Sequence, residues 1–346
     1  MSFSDTFDPA KAVLTGPGSA VSNREDLTDV LTILAPEETP VLSSASKQRA
    51  SSTFVEWTVD TLATPSTDGI AEGADVTSFT DKFSGRARLG NYTQKFRRDY
   101  MVSDLQEAVD SVGPAKVAQA EAKAIRELKR DIEATLCSTN EQSAENGVGT
   151  PYKLRGLGKW IQTAEQGTNP VPEAFRTPAS SIYDTTEAAA NAFTESALND
   201  IISSIYRQTG STDSLVLVAD TGLRRVISDF ARFGAAGTAA SEAGVRSVNY
   251  DGNSAQIKLS VELYQSDHGI VSIVNGNPDC MPNFGGSTSD SSGYLVNPEY
   301  YGVHELIPMG STRLPNLGGG ERGFVDCALT LGVYHPQAHG LIQDVT

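Results

Sequence analysis

KVAQAEAKAIRELKRDIEATLC, residues 116–137, decides the architecture. Val117, Ile125, Leu128, Ile132 and Leu136 recur at helical spacing and mark one face of this stretch. It contains neither Gly nor Pro and is rich in Ala, Leu, Glu, Lys and Arg, the strongest helix formers. At 1.5 Å per residue it forms a rod of about 33 Å. Lys123 with Glu127, and Lys129 with Glu133, stand four apart, the spacing at which opposite charges on an exposed helix face support each other. Just before it, Ser103-Asp104-Leu105-Gln106 has the spacing of a capping box and predicts a short helix. Gly113-Pro114 separates the two, with Pro114 placed to open the long one.

Outward from this rod, residues 52–62 alternate as a strand, with Val55, Trp57 and Val59 on one side and Glu56, Thr58 and Asp60 on the other. RARLGNYTQKFRRDYMV, residues 86–102, is a second extended run with Tyr92, Phe96 and Tyr100 on a common side. A polar connection rich in Gly, Ser and Thr joins them. The pattern predicts a long hairpin, with runs reaching roughly 35 Å and 55 Å, whose aromatic face the nearby chain is too short to cover. A neighbouring subunit is the natural cover. Residues 1–50 read as a polar arm punctuated by Pro, with one amphipathic helical stretch (Leu27, Val30, Leu31, Leu34) stopped by Pro36.

Downstream, residues 138–190 are loop-rich. Residues 194–232 turn helix–strand–helix, the second helix (221–233) being capped by Asp220. Strands are expected at about 256–265, 269–275 and 293–297. The tail from Gly323 to Val345 returns to strand, with Val325, Cys327, Leu329 and Leu331 on one side. No internal repeat is visible. The chain is α+β with two protrusions.

Composition narrows the function. A length of 346 residues fits two domains or one large one. With 27 Lys plus Arg against 43 Asp plus Glu, the formal charge of −16 argues against a protein whose task is to grip nucleic acid through phosphates. Cys137, Cys280 and Cys327 are odd in number, far apart and without a CxxC pair, which speaks against a disulfide framework or structural zinc; they read as small buried apolar side chains. No apolar run approaches a membrane span, and MSFSDTFDPAKAV lacks the basic start and apolar core of a signal peptide.

The motif search yields no catalytic constellation and no cofactor site. Gly318-Gly319-Gly320-Glu321-Arg322-Gly323 satisfies GxGxxG, but a strand follows it where a dinucleotide site needs a helix. Gly156-Leu157-Gly158-Lys159-Trp160 lacks the phosphate-loop spacing. His335 and His339 flank Pro336 in a turn, so a metal-binding helical pair is not expected. The basic stretch is more informative. Lys82, Arg86, Arg88, Lys95, Arg97 and Arg98 lie between Asp81 and Asp99 without an intervening acid, interleaved with Phe83, Tyr92 and Phe96. Three readings are open: a face for single-stranded nucleic acid, a solvated strand face, and a subunit contact. The acidic balance favours the last, with Trp57 and the basic and aromatic side chains meeting acids such as Glu25, Asp26, Asp29, Glu37 and Glu38 of a neighbour's arm.

DLTDVLTILAPEETPVLSS (26–44), YTQKFRRDYMVSDLQEAV (92–109), AKAIRELKRDIEATL (122–136), LVNPEYYGVHEL (295–306) and CALTLGVYHPQAHGLI (327–342) resemble, in this order, the major capsid proteins of tailed bacteriophages typified by phage SU-ten. The resemblance spans nearly the whole chain and loosens between about 140 and 290. It implies the HK-ninety-seven-like capsid fold: an N-terminal arm (1–45), an extended hairpin loop (46–102), a peripheral domain with the spine helix (103–190), an axial domain (191–295) and a return to the peripheral domain (296–346). It further implies no enzyme activity, and self-assembly into hexamers and pentamers of an icosahedral head made in a bacterial cytoplasm. Such a head encloses double-stranded DNA without sequence-specific binding and without a membrane, and portal, scaffolding and decoration proteins are the further partners it allows. An encapsulating-compartment shell or another virion structural protein is the alternative on the same fold.

Overall fold

The computed structural model describes residues 38–343 except 84, 109–115, 166, 185–192, 213, 231–247, 252–253, 258–261 and 283–291. The first half contains α1 (Pro40–Ser44), β1 (Ser46–Arg49), β2 (Phe54–Val59), β3 (Ala87–Tyr92), β4 (Gln94–Val102), α2 (Asp104–Ala108), α3 (Lys116–Cys137) and α4 (Leu157–Trp160). There follow β5 (Ile182–Asp184), α5 (Glu195–Thr209), β6 (Val216–Ala219), α6 (Thr221–Phe230), β7 (Val248–Asp251) and β8 (Ser254–Ile257). The chain closes with β9 (Leu263–Ser266), β10 (Gly269–Asn275), β11 (Gly293–Val296), β12 (Tyr301–Leu314), β13 (Glu321–Val333) and β14 (Gly340–Gln343).

The long helix has the predicted bounds. It lies on a four-stranded sheet of order β1-β12-β13-β4, antiparallel except for the β1–β12 pair. Leu128, Ile132 and Leu136 are fully buried, packed in one core with Phe96 and Tyr100 of β4 and with Val325, Cys327, Leu329 and Leu331 of β13. The predicted alternation of β13 thus faces the helix. At the C-terminus of α3 the Tyr294 hydroxyl donates to the Cys137 carbonyl at 2.6 Å, satisfying one of the helix's last free acceptors. Lys123 and Glu127 pair at 3.8 Å as their spacing predicted. Glu133 does not pair with Lys129. It points inward and accepts the backbone N–H groups of Val41 and Leu42, each at 2.8 Å. The capping box holds too, Ser103 Oγ accepting the Gln106 N–H at 3.2 Å.

The predicted long hairpin takes a different form. β2 and β3 pair over only six residues, from Phe54↔Tyr92 to Val59↔Ala87. The second run breaks at Thr93, and its remainder, β4, pairs instead with β13, Phe96 standing opposite Cys327. Competition explains the break: in the β2–β3 register β4 would continue against residues 44–52, but β1 in that stretch pairs in parallel with β12, while the long, apolar β13 offers β4 a buried ladder. β12, a strand of 14 residues absent from the sequence reading, is the other partner of β13. The loop joining β12 to β13 carries the GxGxxG match, and its glycines serve backbone geometry. Gly320 has φ +122°, and a Cβ there would sit 2.1 Å from the Val102 carbonyl oxygen.

The second sheet has six strands in the order β5-β14-β11-β6-β10-β9. α5 and α6 cover one face through Leu198, Ile201, Ile202, Ile205, Leu223 and Ile227, forming a second core with Leu217, Val271 and Ile273. The opposite face of β6 and β11 joins the first core through Val218, Tyr294 and Val296. Thr194 caps α5, its Oγ1 accepting the Ala197 N–H, and Asp220 Oδ1 accepts the Thr221 N–H at 2.6 Å at the start of α6. The predicted helical stretch 27–34, the end of the 221–233 helix and positions 258–261 of the 256–265 strand lie outside the described residues. The three cysteines are free and buried.

Because α3 is fixed by this buried face, Ile132→Ala is expected to cost about 2–5 kcal/mol of folding free energy. Lys123→Ala, on the exposed side, should cost no more than about 0.5 kcal/mol. Urea denaturation of the two variants against the parent chain checks the contrast.

Candidate functional site

The sequence singled out residues around the hairpin, and the structure divides them into three groups. The first is inside the subunit. Phe96 is 7% exposed and Tyr100 9%, both in the core beneath α3. The expectation that a neighbour must cover this aromatic face is corrected for them: the face turns onto the subunit's own helix. Trp57 is half-buried, its ring 5.6 Å from Trp160 and edge-on to Tyr334 at 6.1 Å. Tyr92 packs between Phe54 at 4.6 Å and Tyr152 at 5.7 Å.

The second group is basic, and most of it is neutralised at home. Arg86 Nε donates to Asp60 at 2.8 Å, and that guanidinium holds the Asp60 carboxyl below its ordinary value. Arg88 lies 3.7 Å from Glu56, its neighbour across the β2–β3 pair, and Lys95 3.0 Å from Asp326. Arg98 shares the face of Phe96 and Tyr100 and grips Asp131 of α3 with two bonds of 2.5 and 2.7 Å, a bidentate pair that raises its own pKa. Arg97 alternates to the other face and lies over the Phe324 ring at 5.9 Å. Lys82 has no ion-pair partner among the described residues. Glu25, Asp26, Asp29 and Glu37, the acids proposed to receive these cations, lie outside the described residues.

The third group is the connection itself, which the sequence reading treated as a mere link. Every described residue from Asp60 to Arg86 is exposed, and none is in a helix or strand. The segment carries Leu62, Ile70, Val76, Phe79 and Phe83 into solvent, Leu62 at 98% and Phe79 at 91% exposure. From Asp60 to Asp81 it also bears five acids and no cation: Asp60, Asp68, Glu72, Asp75 and Asp81. Single exposed apolar residues are ordinary, but a run of five large ones on a projecting segment marks an interaction surface. Burying each against a partner contributes about 1.5–3 kcal/mol.

A buried polar network that anchors β3 to the body was not legible in the sequence. Asn91, fully buried, donates to the carbonyls of Arg155 at 3.2 Å and Leu331 at 2.8 Å, and accepts the Arg155 N–H at 2.8 Å. The Arg155 side chain is fully buried, held by Glu141 at 2.6 and 2.9 Å and by the Thr168 and Asn169 carbonyls, with its guanidinium 4.7 Å above the Trp160 ring. Burial pushes its pKa down, and Glu141 opposes that. The network ties β3 and β13 to Glu141, Arg155, Thr168 and Asn169 of the loops that follow α3.

His335 and His339 bracket a single 3-10 turn. His339 is fully buried, accepts the Asn297 N–H through Nδ1 at 3.2 Å, and is pushed by burial down to about 4. Among the described residues no three His, Cys, Asp or Glu side chains gather as a metal site, and no helix is long and apolar enough to cross a membrane.

The family model described as SU10 major capsid protein matches residues 12–346. The fold is similar to the capsid of cyanophage P-SCSP1u (TM-score 0.60, 14% identity, 98% of each chain covered). It is equally similar to the capsid of cyanophage A-1(L) (TM-score 0.60, 14% identity, 94% of this chain and 98% of that one). An encapsulin from Synechococcus elongatus follows at TM-score 0.51 and 11% identity, with 94% of each chain covered. At such identities the likeness shows the fold, that of the phage capsids, and nothing finer. Among the curated proteins there is no significant sequence match.

Two substitutions separate the core from the surface. Phe96→Ala should lower folding free energy by about 3–5 kcal/mol. Lys82→Glu should leave it within about 0.5 kcal/mol. Denaturant midpoints of the purified variants decide; a Phe96→Ala midpoint equal to that of Lys82→Glu would place the ring outside the core.

Proposed function

This chain belongs to the SU10 major capsid protein family of tailed phages, and from that premise we propose how its parts build the shell. Copies assemble into the capsid lattice as hexamers and pentamers of an icosahedral head that encloses double-stranded DNA. We assign the four-stranded sheet with α3 to the peripheral domain and the six-stranded sheet with α5 and α6 to the axial domain around the capsomer centre. The extended loop is residues 60–86, narrower than the 46–102 read from sequence, because β1 to β4 belong to the subunit body.

One observation carries this reading: a projecting segment in which every described residue is exposed, five large apolar side chains among them. No isolated subunit gains by displaying them, whereas a lattice covers them on each neighbour. The loop is acidic from Asp60 to Asp81, so cations on the surface that receives it would steer and register the contact. The net charge of −16 serves the interior as well, because a wall of like charge does not cling to packaged phosphate backbones. Such subunits are made in the host cytoplasm and end in the virion.

Removing residues 63–85 should leave a subunit whose denaturation midpoint matches the parent's, since that segment buries nothing at home, but which forms no closed shells. Negative-stain electron microscopy beside denaturant unfolding checks both halves. Closed particles of normal size from the deleted chain would overturn the role assigned to the loop.

A further inference from the structure

Residues 38–44, the root of the arm, are fastened to the body at three points. Val41 and Leu42 donate their N–H groups to the two carboxylate oxygens of Glu133, each at 2.8 Å. Asn277, just past β10, donates through Nδ2 to the Glu38 carbonyl at 3.1 Å. The Tyr301 hydroxyl lies 3.2 Å from the Val41 carbonyl and 2.5 Å from Ser44 Oγ. Helix α3, the turn after β10 and strand β12 therefore converge on a few residues at the end of the arm.

Of the three fastenings, only Glu133 carries a charge. It is 1% exposed, and among the described residues no cation pairs with it. Arg130, one turn earlier on α3, is engaged by Asp279, and Asp131 by Arg98. The other titratable groups around it are Cys137 on its own helix, Cys280 in the turn after β10, and Tyr301 on β12, with His339 edge-on to Tyr301 at 5.9 Å. Burial pushes Cys137 and Tyr301 well up and Cys280 up to about 11, and pushes His339 down to about 4. None of these changes charge between pH 5 and pH 8, which leaves Glu133 as the group in this cluster that can.

We propose that Glu133 is a proton-operated latch on the root of the arm, holding it more tightly when its carboxyl is neutral and releasing it more readily when ionised. A dry carboxylate without a cation recovers only part of its lost hydration from two N–H groups, while a neutral carboxyl loses far less on burial and still accepts hydrogen bonds. The balance agrees: desolvation raises the Glu133 carboxyl from an ordinary 4.5 to about 6, against the opposing pull of the Val41 and Leu42 bonds. A group that binds its proton more readily in the closed state than in the open, solvated one makes proton uptake favour closure. The advantage is complete below about pH 4.5 and is lost as pH rises through about 6, a span of about thirty-fold in the closed-to-open ratio. At neutral pH residues 38–44 are thus kept in their more releasable state, and acid fixes them.

Hydrogen–deuterium exchange of the full chain, read by mass spectrometry on peptides spanning Val41 and Leu42 and corrected for intrinsic exchange, tests the latch between about pH 4.5 and about pH 7.5. Protection of these amides should fall by up to about thirty-fold with rising pH in the parent chain. In Glu133→Gln, which stays neutral at every pH, it should be flat across this range. A variant that keeps the parent's pH profile would overturn the proposal, and so would parent protection that is flat or rises with pH. Should Glu133→Gln fail to fold, the parent profile alone decides by the same criterion.

Discussion

The packing of one face of α3 against β4 and β13 is the contact from which the rest of the subunit takes its position. Leu128, Ile132 and Leu136 lie fully buried between helix and sheet, and the same helix reaches three other parts of the molecule. Glu133 takes the arm root, Asp131 takes Arg98 of β4, and Arg130 takes Asp279 in the turn after β10 of the second sheet. A rigid rod of about 33 Å is suited to this, because it transmits position over a length no loop could hold. The second sheet is joined to the same core through Val218, Tyr294 and Val296, so the two sheets are held through one body of side chains.

Against that rigid frame, residues 60–86 stand apart. The frame uses its cations internally: Arg86, Arg88, Lys95 and Arg98 each meet a carboxylate of the same chain. Most of these pairs are exposed and contribute about 0–1 kcal/mol each, so their main effect is to set side-chain positions and to cancel local charge. The projecting loop instead shows large apolar side chains to solvent, and its acids outnumber its cations. A subunit that satisfies its polar groups at home and leaves its apolar ones outside is built to associate through burial, with charge setting register.

How much of this was legible in the sequence depended on whether a residue's role is periodic. The spine helix, the alternation of β13 and the caps of α2 and α6 follow from spacing, and spacing is local. The fate of the 86–102 run did not follow, because whether Phe96 faces a neighbour or its own helix is settled by β13, more than two hundred residues away. β12 was missed for a related reason: it carries Gly302, Pro308 and Gly310 and bulges after Glu305, which blurs its alternation. Glu133 sits at a spacing from Lys129 that normally means a surface ion pair, and only the arrival of Val41 and Leu42 turns it inward. Arg155 and Asn91 had no pattern at all; a single buried polar residue is defined by the carbonyls it meets in three dimensions. The order of segments, by contrast, carried the family resemblance, since it samples the whole chain at once.

The central claim is that this subunit is completed by its neighbours. Negative-stain electron microscopy of the purified full chain, with its mass from light scattering, tests that most directly. Closed shells or capsomer rings, with masses that are multiples of the subunit, are the predicted result. A chain that stays a monodisperse monomer at high concentration, even when expressed with a scaffolding partner, would contradict it.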